Sequence, residues 1–394
     1  MLVNPDLAAT LSPPVMEARR WIAETTFPPE RPLLNLSQAA PVDPPPAPLR
    51  AAMADIIQND SSAHLYGPVL GLQPLRERVA QTWSDAYGGT VSPANVAITS
   101  GCNQAFTAVV STLAQAGDNV ILPSPWYFNH KMWLDMAGIG CRVLESGTDL
   151  LPDPQAAAAL ITPRTRAIVL VSPNNPAGVE YPAELMQAFF DLARSHGLAL
   201  IVDETYRDFD SRTGAPHNLF QDPNWDDTLI QLYSFSKAYR LTGHRVGAIV
   251  AATDRMAQVE KWLDTVTICP NQLGQRAALW GMENLGEWLA GERTEILARR
   301  AAMETGFKKL PDWGLLGCGA YFAYVAHPFD KPSDAVAKSL VQDAAVLMLP
   351  GTMFGPTRDM GGSGRAENTL RIAFANADAA GIATLFERLS ALTH

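Results

Sequence analysis

Short, nearly continuous apolar runs punctuate the middle of the chain, at 96–99, 120–122, 142–144, 167–171, 199–202, 229–233 and 246–251. Longer segments with helical spacing of apolar positions separate them. Runs this short and this unbroken suit strands buried on both faces, with the intervening helices as crossovers between parallel neighbours. The pattern predicts an α/β fold whose large domain holds a mainly parallel, seven-stranded sheet flanked by helices. Beyond about Lys261, helical-period segments at 273–280 and 296–310 lead to strand-like stretches at 320–325 and 370–374, which predicts a smaller α+β domain. Pro41, Pro44, Pro45, Pro46 and Pro48 mark an extended connector that no helix can cross. The predicted division is an N-terminal arm and connector over 1–45 that completes the small domain, a large domain over 46–262, and a small C-terminal domain over 263–394.

Open α/β sheets bind ligands outside the carboxyl ends of their strands. Gly101, Tyr127, Asn175, Asp203 and Lys237 all fall at or just beyond the end of one of the runs, so the sheet itself predicts their convergence. The segment Ser234-Phe-Ser-Lys-Ala-Tyr-Arg-Leu-Thr-Gly-His-Arg245 sets a lysine beside two hydroxyls and an arginine. Lys237 can form a Schiff base there, while Ser234, Ser236 and Arg245 can hold a phosphate dianion. Asp203 and Tyr206 close the run before it, Asn175 lies in an Asn-Asn-Pro turn, and Ser100-Gly101-Cys102-Asn103 opens a helix whose free N–H groups suit phosphate.

In this order the motifs resemble the pyridoxal-phosphate aminotransferases of class I/II, fold type I, from about Leu36 to Phe374. The resemblance implies that 46–262 binds pyridoxal 5′-phosphate, with Lys237 as covalent anchor, Asp203 on the ring nitrogen, and Tyr206 and Asn175 on the phenolic oxygen. It further implies Tyr127 stacked on the ring, His130 behind Asp203, and Ser100, Gly101, Cys102, Asn103, Ser234, Ser236 and Arg245 around the phosphate. Arg371, in Leu-Arg-Ile-Ala-Phe-Ala, would take the substrate α-carboxylate, with Asn175 and Ala39 beside the substrate. Tyr66 would reach the cofactor of a second subunit, making the site that of a homodimer. At Ala39 relatives often carry glycine, and the segment that brings a second arginine in dicarboxylate-specific members offers Asp264 here, which disfavours glutamate or aspartate as donor.

The implied function is transfer of an amino group from a neutral or aromatic L-amino acid to a 2-oxo acid, by a ping-pong mechanism. A carbon–sulfur β-lyase, γ-synthase or decarboxylase could use the same residues, and a non-catalytic, cofactor-binding regulatory module is the rival from another class. A net charge of −10 over 394 residues disfavours nucleic acid and acidic membranes as partners. The chain opens without a basic and apolar leader and carries no membrane-length apolar run. Cys102, Cys141, Cys269 and Cys318 are too scattered for a disulfide framework or a zinc site, so no metal is expected and a reducing cytoplasm fits.

Overall fold

The computed structural model describes residues 2–392. Its main sheet consists of β1 (Val96–Thr99), β2 (Asn119–Ser124), β3 (Gly140–Glu145), β4 (Thr165–Val171), β5 (Ala199–Asp203), β6 (Leu229–Ser234) and β7 (Gly247–Val250). The strand order is β1-β7-β6-β5-β4-β2-β3. The pairings of β2 with β3 and β4, of β4 with β5 and of β5 with β6 are parallel. β7 runs antiparallel to both β6 and β1, and is reached from β6 through the short helix Phe235–Ala238 and a 3-10 turn at Thr242–His244.

Alternate residues of the central strands enter different cores. Leu200 and Val202 pack with Phe189, Phe190 and Trp83 on one face, while Ala199 and Ile201 pack with Phe106 and Val109 on the other. Helix Ala183–Ser195 covers the first face through Met186, Phe189, Phe190 and Ala193, and helix Cys102–Leu113 covers the second. This double burial removes the polar alternation that a solvated strand would show.

A four-stranded antiparallel sheet forms the small lobe, in the order Leu349–Pro350, Thr369–Ile372, Phe322–Ala326 and Gly314–Gly319. Its core takes Met303, Phe307 and Leu385 together with Ala18, Trp21 and Leu36 of the N-terminal arm. Leu34–Asn35 also pairs in parallel with Val346–Leu347, so the arm is stitched to the small lobe by main chain as well as by side chains. Pro46 precedes helix Ala47–Asn59, and Pro48 sits in its first turn, where a missing N–H costs nothing.

The expected boundary at 262/263 needs adjustment. Helix Thr253–Thr267 runs straight through it, and Ala277, Ala278 and Leu285 pack in the core of the large sheet. Passage to the small lobe is carried instead by helix Gly286–Phe307, whose Ile296, Met303 and Phe307 enter the other core.

Candidate active site

Most of the candidate residues meet in one cavity of about 320 Å³ outside the carboxyl ends of β4, β5 and β6. Asp203 ends β5 on the Ile201 side of the strand and is 3% exposed. Burial pushes its carboxyl up, but hydrogen bonds from His130 and Thr205 outweigh burial and hold it below the ordinary aspartate range. His130 Nε2 lies 3.2 Å from Asp203 Oδ2, and its ring stacks on Phe106 with centroids 3.9 Å apart. The Thr205 amide donates to Asp203 Oδ1 at 3.0 Å. A buried carboxylate so held is fit to keep a cationic ring nitrogen protonated.

Lys237 lies in the short helix Phe235–Ala238 just after β6, capped by the Ser234 side chain. Its Nζ donates to the main-chain carbonyl of Ala39 and sits 5.8 Å from the Tyr206 ring centre. Burial, with the positive charges of Arg245 and Arg371 nearby, brings the ammonium down to about 8, against the opposing pull of Asp203. An appreciable fraction of neutral amine is thus present near neutral pH, which a nucleophile or proton carrier requires.

At one end of the cavity Arg245 adopts a left-handed conformation, φ 52. It reaches Ser236 Oγ at 3.5 Å and the Thr242 carbonyl at 3.0 Å. Gly101 faces it at φ 90, where a Cβ would come within 2.3 Å of Arg245 Nη2. Glycine is required twice over, by conformation and by space. The first-turn N–H groups of helix Cys102–Leu113 point out beside it without intrahelical acceptors. Ser100 is half-buried outside the cavity lining, and its amide donates to Gln104 Oε1 at 2.6 Å. Cys102 is buried beside Asp203 and Thr205, and burial pushes its thiol well up.

At the other end Arg371 is 2% exposed. It donates to Asn175 Oδ1 at 2.9 Å and to the Ser37 carbonyl, and lies over Phe354 and Phe322 at 4.7 and 5.0 Å. Burial brings its guanidinium down to about 10, and no carboxylate of the described residues pairs with it. Tyr127 lines the wall between the two ends. Its hydroxyl donates to Asn103 Oδ1 at 3.2 Å and accepts from Asn129 at 2.8 Å, and burial pushes it up to about 12. The buried Tyr206 phenol is also pushed well up, chiefly by burial.

Tyr66 does not join this cluster. It is 82% exposed, beside Gly67, whose amide donates to Cys269 Sγ at 3.4 Å. Asp264 is exposed on helix Thr253–Thr267 and does not line the cavity. Several contributors escaped the motif reading. The Ser37 and Ala39 carbonyls act through main chain and leave no sequence signal, and Val15 arrives from the arm helix Pro14–Ala23. Thr205 could have been found, since an amide two residues after an aspartate is the usual partner of its side chain.

The profile of the family "Aminotransferase class I and II" matches residues 31–389. An aromatic aminotransferase of Arabidopsis thaliana is 28% identical over 354 residues, 87% of this chain and 86% of the relative. An arginine–pyruvate transaminase of Pseudomonas aeruginosa is 30% identical over 338 residues, 82% and 83% of the two chains. In structure, an aspartate aminotransferase of Thermus thermophilus with maleate superposes with a TM-score of 0.87 at 22% identity, over 99% of each chain. The chain belongs to the class I and II aminotransferases. It is an aminotransferase of the fold type I architecture, dependent on pyridoxal 5′-phosphate and acting on amino acids and 2-oxo acids.

The residues present fit that cofactor. The Gly101–Arg245 contact and the free helix N–H groups suit a phosphate, the buried Asp203 suits a pyridinium nitrogen, and Lys237 supplies an amine of lowered basicity between them. Among the described residues, no group of three or more His, Cys, Asp and Glu could hold a metal ion, and no helix is long and apolar enough to cross a membrane.

Proposed function

We propose that the chain is a ping-pong aminotransferase for neutral or aromatic L-amino acids, with Lys237 as the covalent anchor and proton carrier. The observation that carries this reading is the single buried guanidinium of Arg371, which has only carbonyl and amide partners. A planar fork so placed suits one α-carboxylate. Among the described residues of one chain, the remaining cations lining the cavity are Lys237 and Arg245, to which this reading gives the anchor and phosphate roles, so this chain itself brings no further cation to a side-chain carboxylate. Val15, Ala39, Tyr127 and Phe128 offer apolar and aromatic surface instead, and the aromatic aminotransferase relative supports the same substrate class.

Bound there, pyridoxal 5′-phosphate supplies an electron sink for the charge left at the substrate Cα. Arg371 and Asn175 orient the substrate so that its Cα–H stands near Lys237 Nζ, and the neutral amine takes that proton and returns it. Asp203, held by His130 and Thr205, keeps its proton partner cationic, while Tyr206 and Asn175 donate toward the phenolic oxygen. Ser234, Ser236, Arg245 and the N–H groups around Gly101, Cys102 and Asn103 hold the phosphate, with Ser100 supporting that turn.

The working unit in this reading is a homodimer, in which the exposed Tyr66 reaches the partner's cofactor phosphate. A cytoplasmic setting accords with four free cysteines. A panel of amino donors, each with and without a 2-oxo acid acceptor, tests the reaction. Parallel double-reciprocal lines and preference for neutral or aromatic donors are expected. Preference for aspartate or glutamate refutes the substrate class, and oxo acid formed without acceptor makes the enzyme a lyase. Tyr66→Phe should weaken cofactor retention about tenfold, the loss of one charge-assisted hydrogen bond; unchanged retention rules out the contact across subunits.

A further inference from the structure

The floor and the rim of the phosphate end are held by different parts of the chain. From below, β7 presses on the turn: a Cβ at Gly247 would come within 2.6 Å of the Gly101 carbonyl carbon and 2.7 Å of the Cys102 nitrogen. Within the turn, the Thr99 hydroxyl donates to the Gly101 carbonyl at 3.0 Å. Neither contact engages the amide of Ser100, which donates instead to Gln104 Oε1 at 2.6 Å. A glutamine in the first turn of a helix can reach back in this way to main chain ahead of it. Here it does so immediately before Cys102 and Asn103, whose N–H groups lack intrahelical acceptors.

The other end of the same side chain is committed as well. Gln104 Nε2 donates to the hydroxyl of Thr267, the last residue of helix Thr253–Thr267. That helix end is a fixed post. Ile268 closes it at φ 66, ψ −61, a conformation that a β-branched residue keeps only where its surroundings dictate it. The Ile268 amide donates to the Leu263 and Asp264 carbonyls at 3.1 and 3.0 Å, and Cys269 Sγ accepts from the Gly67 amide at 3.4 Å. Because the Ser100 amide can only donate, whereas a hydroxyl can accept, the Gln104 amide has one orientation that satisfies both partners. Neither Gln104 nor Thr267 lines the active cavity, so any effect they have on its contents passes through the turn.

We propose that Gln104 is a positioning residue for the phosphate end of the site: it ties the Ser100 turn to the end of helix Thr253–Thr267 and so fixes the aim of the Cys102 and Asn103 N–H groups. Donors weaken steeply as their angle drifts, and a charged phosphate oxygen makes each well-aimed donor count for more than a neutral acceptor would. The inference rests on the reading of this end as the phosphate site.

The test compares the affinities of the cofactor-free enzyme for pyridoxal 5′-phosphate and for pyridoxal, which lacks the phosphate, by absorbance titration. Thr267→Val removes the hydroxyl with little change of shape. It should weaken pyridoxal 5′-phosphate about threefold or more, as loss of a neutral hydrogen bond does, and leave pyridoxal within about twofold. Gln104→Leu also strips the Ser100 amide of its acceptor, so the phosphate-bearing ligand should weaken about tenfold or more against pyridoxal. Thr267→Ser keeps the hydroxyl and should retain the original preference. A side chain that served only folding would lower both affinities together. Equal losses for the two ligands, an unaltered preference in either Thr267→Val or Gln104→Leu, or failure of Thr267→Ser to retain it overturns the proposal. Arg245→Gln separates this from the reading beneath it: if that variant keeps the full preference for the phosphate-bearing ligand, the phosphate assignment fails and the proposal with it, whereas loss of preference there alone overturns only the role of Gln104.

Discussion

Replacing Arg371 by lysine separates the two things a guanidinium offers, charge and a planar pair of donors. In the protein, one nitrogen of that pair holds Asn175 Oδ1 at 2.9 Å and the other the Ser37 carbonyl. The charge sits over Phe354 and Phe322 and is almost fully enclosed. Lysine keeps a cation but presents it as a point, so one of two parallel charge-assisted bonds to a substrate carboxylate is lost. Each such bond is worth roughly 1.5–3 kcal/mol, which corresponds to a fall of about ten- to a hundredfold in kcat/KM. Alanine would be a poorer probe, because it also opens a hole between two aromatic rings and leaves Asn175 without its donor. The assay is the half-reaction with a single amino acid, followed through the cofactor absorbance, alongside cofactor retention on dialysis. The phosphate end of the cavity is built from other residues, so retention should be unchanged. An unaltered kcat/KM, or cofactor loss as large as the kinetic loss, refutes the assignment of Arg371 to the substrate carboxylate.

Three further outcomes are expected. Gly101→Ala must place a methyl within 2.3 Å of Arg245 Nη2 at φ 90, so cofactor affinity should fall by about tenfold or more, whereas Gly291→Ala, with nothing within 4 Å and no left-handed backbone, should leave it intact; equilibrium dialysis decides. In the cofactor-free protein, acylation of Lys237 measured by mass spectrometry should rise with pH and reach half its maximum near pH 8, because the ammonium is brought down to about 8 and only the neutral amine reacts; a midpoint near pH 10.5 would contradict the buried environment. The carboxyl of Glu204 is held down to about 2 against burial by His217, Arg207 and Tyr87. Its contribution is present above pH 4.5 and is lost as pH falls toward 2, about 3 kcal/mol in all, so urea midpoints should drop over that window and Glu204→Gln should flatten the drop.

The core strands were legible because they are buried on both faces: β4 and β5 read as unbroken apolar runs, and their ends marked where Asp203 and Asn175 would lie. Direction was less legible, since nothing in the composition of 246–251 distinguishes an antiparallel β7 from its parallel neighbours. Strand Gly314–Gly319 escaped altogether. Its glycines argue against a strand on propensity, yet a Cβ at Gly317 would meet the Ala177 carbonyl oxygen at 2.4 Å, and one at Gly319 would meet that of Gly178 at 2.2 Å. The turn after Asn175 lies directly on this strand, a tertiary constraint that no local pattern carries. Most of the candidate side chains that line the cavity were marked by motifs, whereas the Ser37 and Ala39 carbonyls that engage Arg371 and Lys237 have no residue type to announce them.

Asp203 and Glu204 are consecutive, and the two-residue period of a strand sends them to opposite sides of the sheet. One is held by His130 beside the cavity, the other by Tyr87 and His217 in the core. A single-residue insertion or deletion within β5 would exchange their environments, placing the core acid in the cavity and the acid proposed for the cofactor's ring nitrogen among Trp83 and Tyr87. Reach and hydrogen-bond partners would then be wrong on both sides at once. The strand can therefore vary freely in which apolar side chains it uses, but its length is frozen: evolutionary drift in this enzyme can proceed through substitution along β5 and has almost no route through insertion or deletion there.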